Sequence, residues 1–411
     1  MQRNAYPIFI FVLVATPGCY ASGNVLTVDS GLSGDSSTAD TAQVLLADAH
    51  TPDAQSPCPG VTWIDLEPSI LPVSVQVPLQ LRATGDVFTF FYQHTELTLR
   101  DTPSPTMQDI PSRGEPGPLQ YAFWAPPEPD ALFLDRDIFA ARQGTLLMWI
   151  ARHNLGAGSA TSVDVAAQIP AGSEIGDVVL GVNSLVHFGT HRPTTEGYFE
   201  DFALHQLSEG GDYLGVRTEA DPFFGFAHTR LTLRTDVGGE LLVAGIQNTD
   251  FPPTVQLAPL RGTALTAGTS CGIDDYAIGS TGSNSEYVVA DGCRTTGDID
   301  VSLRRDGITP AQTVATDRFV DAASPIALTA LDSGWALAYW RESGSLALLV
   351  LDSAFQVRVN ITVPGPSFAW AEVIPGPIAL ARTSDGTLAI AWSTSGGSHQ
   401  GAVQRFTVRC D

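Results

Sequence analysis

Lysine is missing from this chain. All 21 basic residues are arginine, and they face 44 acidic ones for a formal net charge of −23. Without lysine there is no Schiff-base chemistry and no lysine-based phosphate loop. The shortage of positive charge excludes a nucleic-acid partner, because nothing stands ready to release phosphate counterions. Charged residues of both signs make up only 16% of the chain, too few for coiled coils or salt-bridge-laced helical bundles. No apolar run reaches transmembrane length. No Gly-x-Ser-x-Gly elbow, Walker loop or His-Glu-x-x-His helix is present.

Glycine and proline are plentiful, at 39 and 28 of the 411 residues, and 44% of the chain is hydrophobic. That combination predicts a large core built from short strands and many turns.

Residues 1–19 read as an export signal. Arg3 precedes the apolar run Ile8 to Ala15, which is too short to span a bilayer, and Thr16-Pro17-Gly18-Cys19 follows. Gly18-Cys19 fits a bacterial lipobox, in which Cys19 is lipidated and becomes the new amino terminus. The competing reading is cleavage after Ala21. The expectation is export, with outer-membrane anchoring through Cys19, or a periplasmic or secreted protein if Cys19 is not lipidated. Residues 20–57 are rich in Ser, Gly and Asp and cannot bury enough apolar surface to fold. They predict a disordered tether of about 30–35 Å.

Residues 58–411 repeat loosely. Gly386-Thr-Leu-Ala-Ile-Ala-Trp392 matches Gly334-Trp-Ala-Leu-Ala-Tyr-Trp340, and each follows an apolar strand and a turn. Related strands start at Gly85, Gly144, Gly239 and Ser285. From Gly85 to Gly386 the units average about fifty residues, a period that with several strands per unit belongs to a β-propeller blade. The predicted fold is all-β: a seven-bladed β-propeller. Its last blade has strands at 377–382, 387–392 and 402–408 and takes its fourth from Val61–Leu66 at the N-terminus. That strand closes the ring and removes an open edge. The third blade, around 186–222, is the least legible.

Apart from Cys19 the chain has four cysteines, a disulfide set with three possible pairings in an exported protein. The propeller selects Cys58–Cys410 at one rim and Cys271–Cys293 at the other.

These features resemble the lipid-anchored β-propeller proteins of high-GC Gram-negative bacteria such as myxobacteria. The resemblance rests on architecture and composition, and it carries over no functional residue. The Gly-His to Trp-Asp spacing of WD40 repeats and the kelch double-glycine series are absent. Ser384-Asp385-Gly386-Thr387 lacks the spacing and the aromatic end of a sialidase Asp-box.

The turns from second to third strand carry His94, Arg152, His153, Asp250, Asp291, Arg294, Arg341, Glu342, His399 and Gln400. With the connections between blades they form one rim, the expected binding surface for a protein or glycan. The leading function is therefore a monomeric cell-envelope binding or scaffold protein that touches the membrane only through its lipid. The rival is a carbohydrate-active hydrolase or lyase using a carboxylate pair such as Asp250 and Glu342. His187, His191 and His205, with Glu196, Glu200 and Asp201, form the densest group of metal-ligand types, but at no metal-binding spacing. Asp135-Arg136-Asp137 lacks the Asp-Gly of a calcium loop. No cofactor or metal is expected, calcium being the ion such an acidic chain would accept. Trp335, Trp340 and Trp392 read as packing residues.

Overall fold

The computed structural model describes residues 60–71, 80–84, 86–92, 106–111, 119–122, 131–134, 138–151, 160–195, 199–217, 228–235, 241–247, 254–259, 265–268, 273–280, 287–293, 295–305, 307–308, 311–320, 325–367, 374–395 and 400–409. Among them there is no α-helix, and so none that is long and apolar enough to cross a membrane. Every strand pairing is antiparallel, within small sheets that follow one another along the chain.

The sheet of Ile326–Leu331, Gly334–Trp340, Ser345–Asp352 and Val357–Ser367 shows how the sequence makes this fold. Its first hairpin turns through Asp332-Ser333, because Leu331 pairs directly with Gly334. A Cβ on Gly334 would lie 2.0 Å from the Leu351 carbonyl oxygen, so no other residue lets the third strand approach. The middle strands are buried on both faces and therefore read as nearly continuous apolar runs. Side chains alternate across the sheet. Trp335, Leu337, Tyr339, Leu349 and Leu351 pack on Val288, Ala290, Ile299 and Val301 of the preceding sheet. Ala336, Ala338, Trp340, Leu346 and Leu348 pack on Ile378, Leu388, Ile390 and Trp392 of the following one. Each large aliphatic side chain so enclosed contributes roughly 1.5–3 kcal/mol. The buried Trp335, Trp340 and Trp392 are packing residues.

The same stacking continues around the molecule. The sheet that begins at Ala131–Leu134 packs on the one that begins at Glu174–Leu180. The last sheet turns its second face, Ala381, Ala389, Ala391 and Val403, onto Leu81 and Phe88 of the first. Opening strands of successive sheets lie side by side: Ile273–Ser280 beside Ile326–Leu331, and Ile326–Leu331 beside Ile374–Arg382. That strand in turn lies beside Gln80–Thr84, which opens the first sheet. Tyr276 Oη donates to Thr232 Oγ1 at 2.8 Å and links two more opening strands. A closed series of stacked antiparallel sheets is a β-propeller.

Two aspartates staple neighbouring sheets. Asp177 and Asp275 each sit at a bulge in an opening strand. Asp177 accepts from the amide of Val178 at 2.8 Å and from Leu233 of the next sheet at 2.7 Å. Asp275 accepts from Tyr276 at 2.8 Å and from Ile326 of the next sheet at 2.8 Å. The bulge re-aims the carboxylate along the sheet-to-sheet direction.

In the last sheet the order is Ile374–Arg382, Thr387–Ser395, Gln400–Arg409 and then Gly60–Trp63, with Gly60 opposite Arg409 and Trp63 opposite Phe406. The N-terminal strand thus completes the C-terminal sheet. It is shorter than the expected Val61–Leu66. The amides of Ile64 and Asp65 both turn to the Arg405 carbonyl, which ends the ladder and leaves Leu66 91% exposed. The chain then rejoins the same strand through Ser69–Leu71.

The strands expected after Gly85, Ser285, Gly334 and Gly386 are each second in their sheet, and the one after Gly239 is second in its meander of the eight-stranded sheet. The one after Gly144 is third. Leu146–Ala151 follows Ile138–Gln143, and Gly144, with φ +56°, makes the turn between them. The sheet around 186–222 contains Glu174–Leu180, Val186–Pro193, Phe199–Leu207 and Tyr213–Val216, and is joined to the following meander by the single pair Phe199 and His228.

Candidate functional site

Of the rim residues expected from sequence, His94, Arg152, His153, Asp250, Arg294 and His399 lie outside the described residues. Asp291 lies within Tyr287–Cys293 and is buried, and Gln400 opens a strand. Burial removes Asp291 from the rim. The carboxylate pair Asp250 and Glu342 cannot be placed together, because Asp250 lies outside the described residues, as do Asp135, Asp137 and Glu196.

Arg341 and Glu342 do stand at the turn leaving Gly334–Trp340. The amide of Glu342 donates to the Asp317 carbonyl at 2.7 Å, so the turn meets the connection arriving from the preceding sheet. Arg341 is committed there. Its Nε lies 3.3 Å from Asp317 Oδ2, its Nη1 donates to Thr362 Oγ1 at 3.0 Å, and its Nη2 donates to Asn360. Tyr339 Oη donates to the other Asp317 oxygen at 2.6 Å. Burial first, then the bond to the Asp317 carboxylate, pushes the Tyr339 phenol well above its ordinary range. The network fixes the turn, on which Glu342 and Ser343 are exposed.

The three histidines do not form one site. His205 lies on the face shared with Phe188, which it stacks on at 4.8 Å. Its Nε2 bonds to Thr190 Oγ1 at 2.9 Å and its Nδ1 to Tyr213 Oη at 2.9 Å. His187 sits on the opposite face, its Nδ1 3.4 Å from Gln206 Nε2. His191 stacks on Phe199 at 3.8 Å. Asp201 and Glu200 instead pair with the Arg192 guanidinium at 2.5 and 3.8 Å. Among the described residues no three His, Cys, Asp or Glu side chains converge to hold a metal ion. Burial pushes both His187 and His205 down to about 4, helped at His187 by the charge of Arg217.

A cavity of about 330 Å³ opens at the other end of the strands from Arg341. It lies between the two final sheets, where the turns Asp332-Ser333 and Ser384-Asp385-Gly386 meet the end of Gln400–Arg409. Arg382 and Arg409 supply positive charge, Asp332 and Asp385 negative charge, and Leu331, Leu388 and Val408 an aliphatic floor. Arg382 reaches across to Asp332 at 2.5 Å. Asp385 Oδ1 is fixed by Thr383 Oγ1 at 2.5 Å and by the Thr387 amide at 3.1 Å, while Gly386, with φ +85°, completes the turn.

No family model matches the chain, and no curated protein matches it. Among solved structures it is similar to a lectin from Burkholderia pseudomallei, with 14% identity over 80% of this chain and 99% of that one and a TM-score of 0.46. A protein of unknown function from Dyadobacter fermentans shares 10% identity over 85% and 100%, with a TM-score of 0.46. A neuraminidase-like protein of A/little yellow-shouldered bat/Guatemala shares 7% over 85% and 99%, at 0.41. At these levels no property of those proteins transfers to this chain.

Sequence reading placed Arg341 and Glu342 at the turn where they stand but missed the cavity. Its lining comes from three separate stretches, and only the stacking of two sheets brings them together. The one available signal was the recurrence of Asp332-Ser333-Gly334 and Ser384-Asp385-Gly386 at matching points of adjacent repeats.

Proposed function

We propose that the chain is an exported binding protein: a seven-bladed β-propeller that receives a small ligand at the end of the ring where Gly60 pairs with Arg409. The observation that carries this reading is the cavity between the turns at 332–333 and 384–386, whose volume lies at the lower end of the roughly 300–1,000 Å³ of small-molecule sites. Rigid stacked sheets hold its walls, so a ligand would meet a preformed site.

The count of seven is supported by the eight-stranded sheet, which is two meanders joined at one residue pair. Second strands opening at Val87, Ile138, Val186, Leu241, Tyr287, Gly334 and Thr387 keep steps of about fifty residues. The exposed Glu342 turn offers a separate contact surface for a protein or glycan of the envelope. Residues 8–19 support export and lipid anchoring at Cys19. A bridge between Cys293 and Cys271 belongs to the same reading, because an exported chain meets an oxidising compartment.

A carbohydrate array probed with the full chain and with its Ser333→Trp variant tests the binding reading. Ser333 is an exposed turn residue on the cavity wall, so the indole fills the site without entering the core. Capture by the natural chain that Ser333→Trp abolishes supports the reading. No capture, or capture unchanged by the substitution, overturns it.

A further inference from the structure

We propose that Tyr213–Val216 is a strap closed over His205, and that acid opens this strap locally while the strands beneath it stay paired.

The two sides of the His205 ring are held with different strength. Phe188 and Thr190, on one side, are fully buried within Val186–Pro193. That strand is paired along both edges, to Glu174–Leu180 and to Phe199–Leu207. The cover on the other side is lighter. Tyr213–Val216 meets Phe199–Leu207 at three positions, with Leu214 as the extra residue of a bulge. Among the described residues it has no strand on its far edge. Leu214 and Val216 are 53% and 50% exposed, so little apolar burial holds the strap down. Val216 stands opposite His205 in the ladder, and Tyr213 Oη bonds to His205 Nδ1 at 2.9 Å. Lifting the strap therefore uncovers the ring.

No charge compensates a proton on the closed ring. The groups packed with it are uncharged: Phe188 and Thr190 below, Tyr213 above, and Leu207, Trp149 and Val163 in the surrounding cluster. Tyr213 stays protonated in acid, since burial raises its phenol. Charged side chains of the neighbouring elements are engaged elsewhere: Arg142 with Glu174, Arg192 with Glu200 and Asp201, and Asp212 with Ser208, while Arg217 acts on His187. Burial alone thus lowers His205 to about 4, whereas a hydrated ring takes its proton near pH 6.5. Between those values the open strap binds more protons than the closed one. Relative to pH 7, its population grows roughly twentyfold by pH 5 and roughly a hundredfold by pH 4. His187 lies on the other face of the sheet and stays covered.

Amide hydrogen exchange of the full chain from pH 7 to pH 4, corrected for the intrinsic rate at each pH, tests the proposal. Opening at 213–217 should rise by those factors while 186–190 stay protected. His205→Gln should remove the rise, and His187→Gln should leave it in place. An equal rise at 186–190, no rise at 213–217, or a rise lost in His187→Gln but kept in His205→Gln overturns the strap. Should His205→Gln fail to fold, Tyr213→Phe still decides. It cuts the tie without touching the ring, so 213–217 should exchange faster already at pH 7, and protection equal to that of the natural chain overturns the proposal.

Discussion

Asp65 and Arg405, 340 positions apart, are joined by four hydrogen bonds. The Arg405 amide donates to Asp65 Oδ2 at 2.9 Å, Nε reaches both carboxylate oxygens, and Nη2 donates to Oδ1 at 2.6 Å. Arg405 is almost fully buried. This is the lock on the N-terminal strand: the carboxylate that ends the Gly60–Trp63 ladder also neutralises the one guanidinium facing it.

Removing the carboxylate takes four hydrogen bonds from Arg405, whose charge is buried. Asp65→Ala should cost about 3–5 kcal/mol of stability, and Asp65→Asn, which retains an acceptor, should cost less. Urea denaturation of the full chain measures both. Equal and small losses would show that the N-terminal strand is held by its backbone ladder alone.

The sheet-to-sheet staples make a paired prediction. Asp275→Ala removes the carboxylate that the Ile326 amide donates to, and Asp177→Ala the one that Leu233 donates to; each should cost about 1–3 kcal/mol. Asparagine at either position keeps one acceptor and should recover part of the loss. Amide hydrogen exchange at Ile326 and Leu233 should quicken only in the matching variant.

His187 and His205 set the acid response. An unfolded histidine takes up its proton near pH 6.5, but burial keeps these two neutral in the fold down to about pH 4. Between those values the unfolded chain binds more protons, so stability is full above about pH 6.5 and falls as pH drops toward 4. The span corresponds to about 3 kcal/mol for each histidine. Urea midpoints followed from pH 7 to pH 4 should decline, and the double variant His187→Gln, His205→Gln should flatten the slope. A slope unchanged in that variant would assign the acid response to other groups.

The repeat was legible because strands buried on both faces need apolar residues at nearly every position, and Gly334–Trp340 and Thr387–Ser395 show that pattern openly. The third unit hid because polar side chains fill its interior: His205 takes a core position by bonding to Thr190 and Tyr213, which a hydrophobic pattern does not reveal. Gly144 misled for a different reason. A glycine before an apolar run marks a hairpin, but not which hairpin of the sheet, and only the short strand Ala131–Leu134 settles the count. Asp177 and Asp275 follow Ile175-Gly176 and Ile273-Asp274 at matching bulges, a signal too brief to separate from turn residues. The cavity depends on two sheets meeting, which no local pattern records.

Closure of the ring by the N-terminal strand is the central claim, and non-reducing peptide mapping tests it most directly. Gly60 opposes Arg409 in the last sheet, so Cys58 and Cys410 each fall within two positions of that final pair. The account predicts a linked Cys58–Cys410 peptide beside a linked Cys271–Cys293 peptide. Free thiols at both Cys58 and Cys410, or a bridge from Cys58 to Cys271 or Cys293, would contradict it.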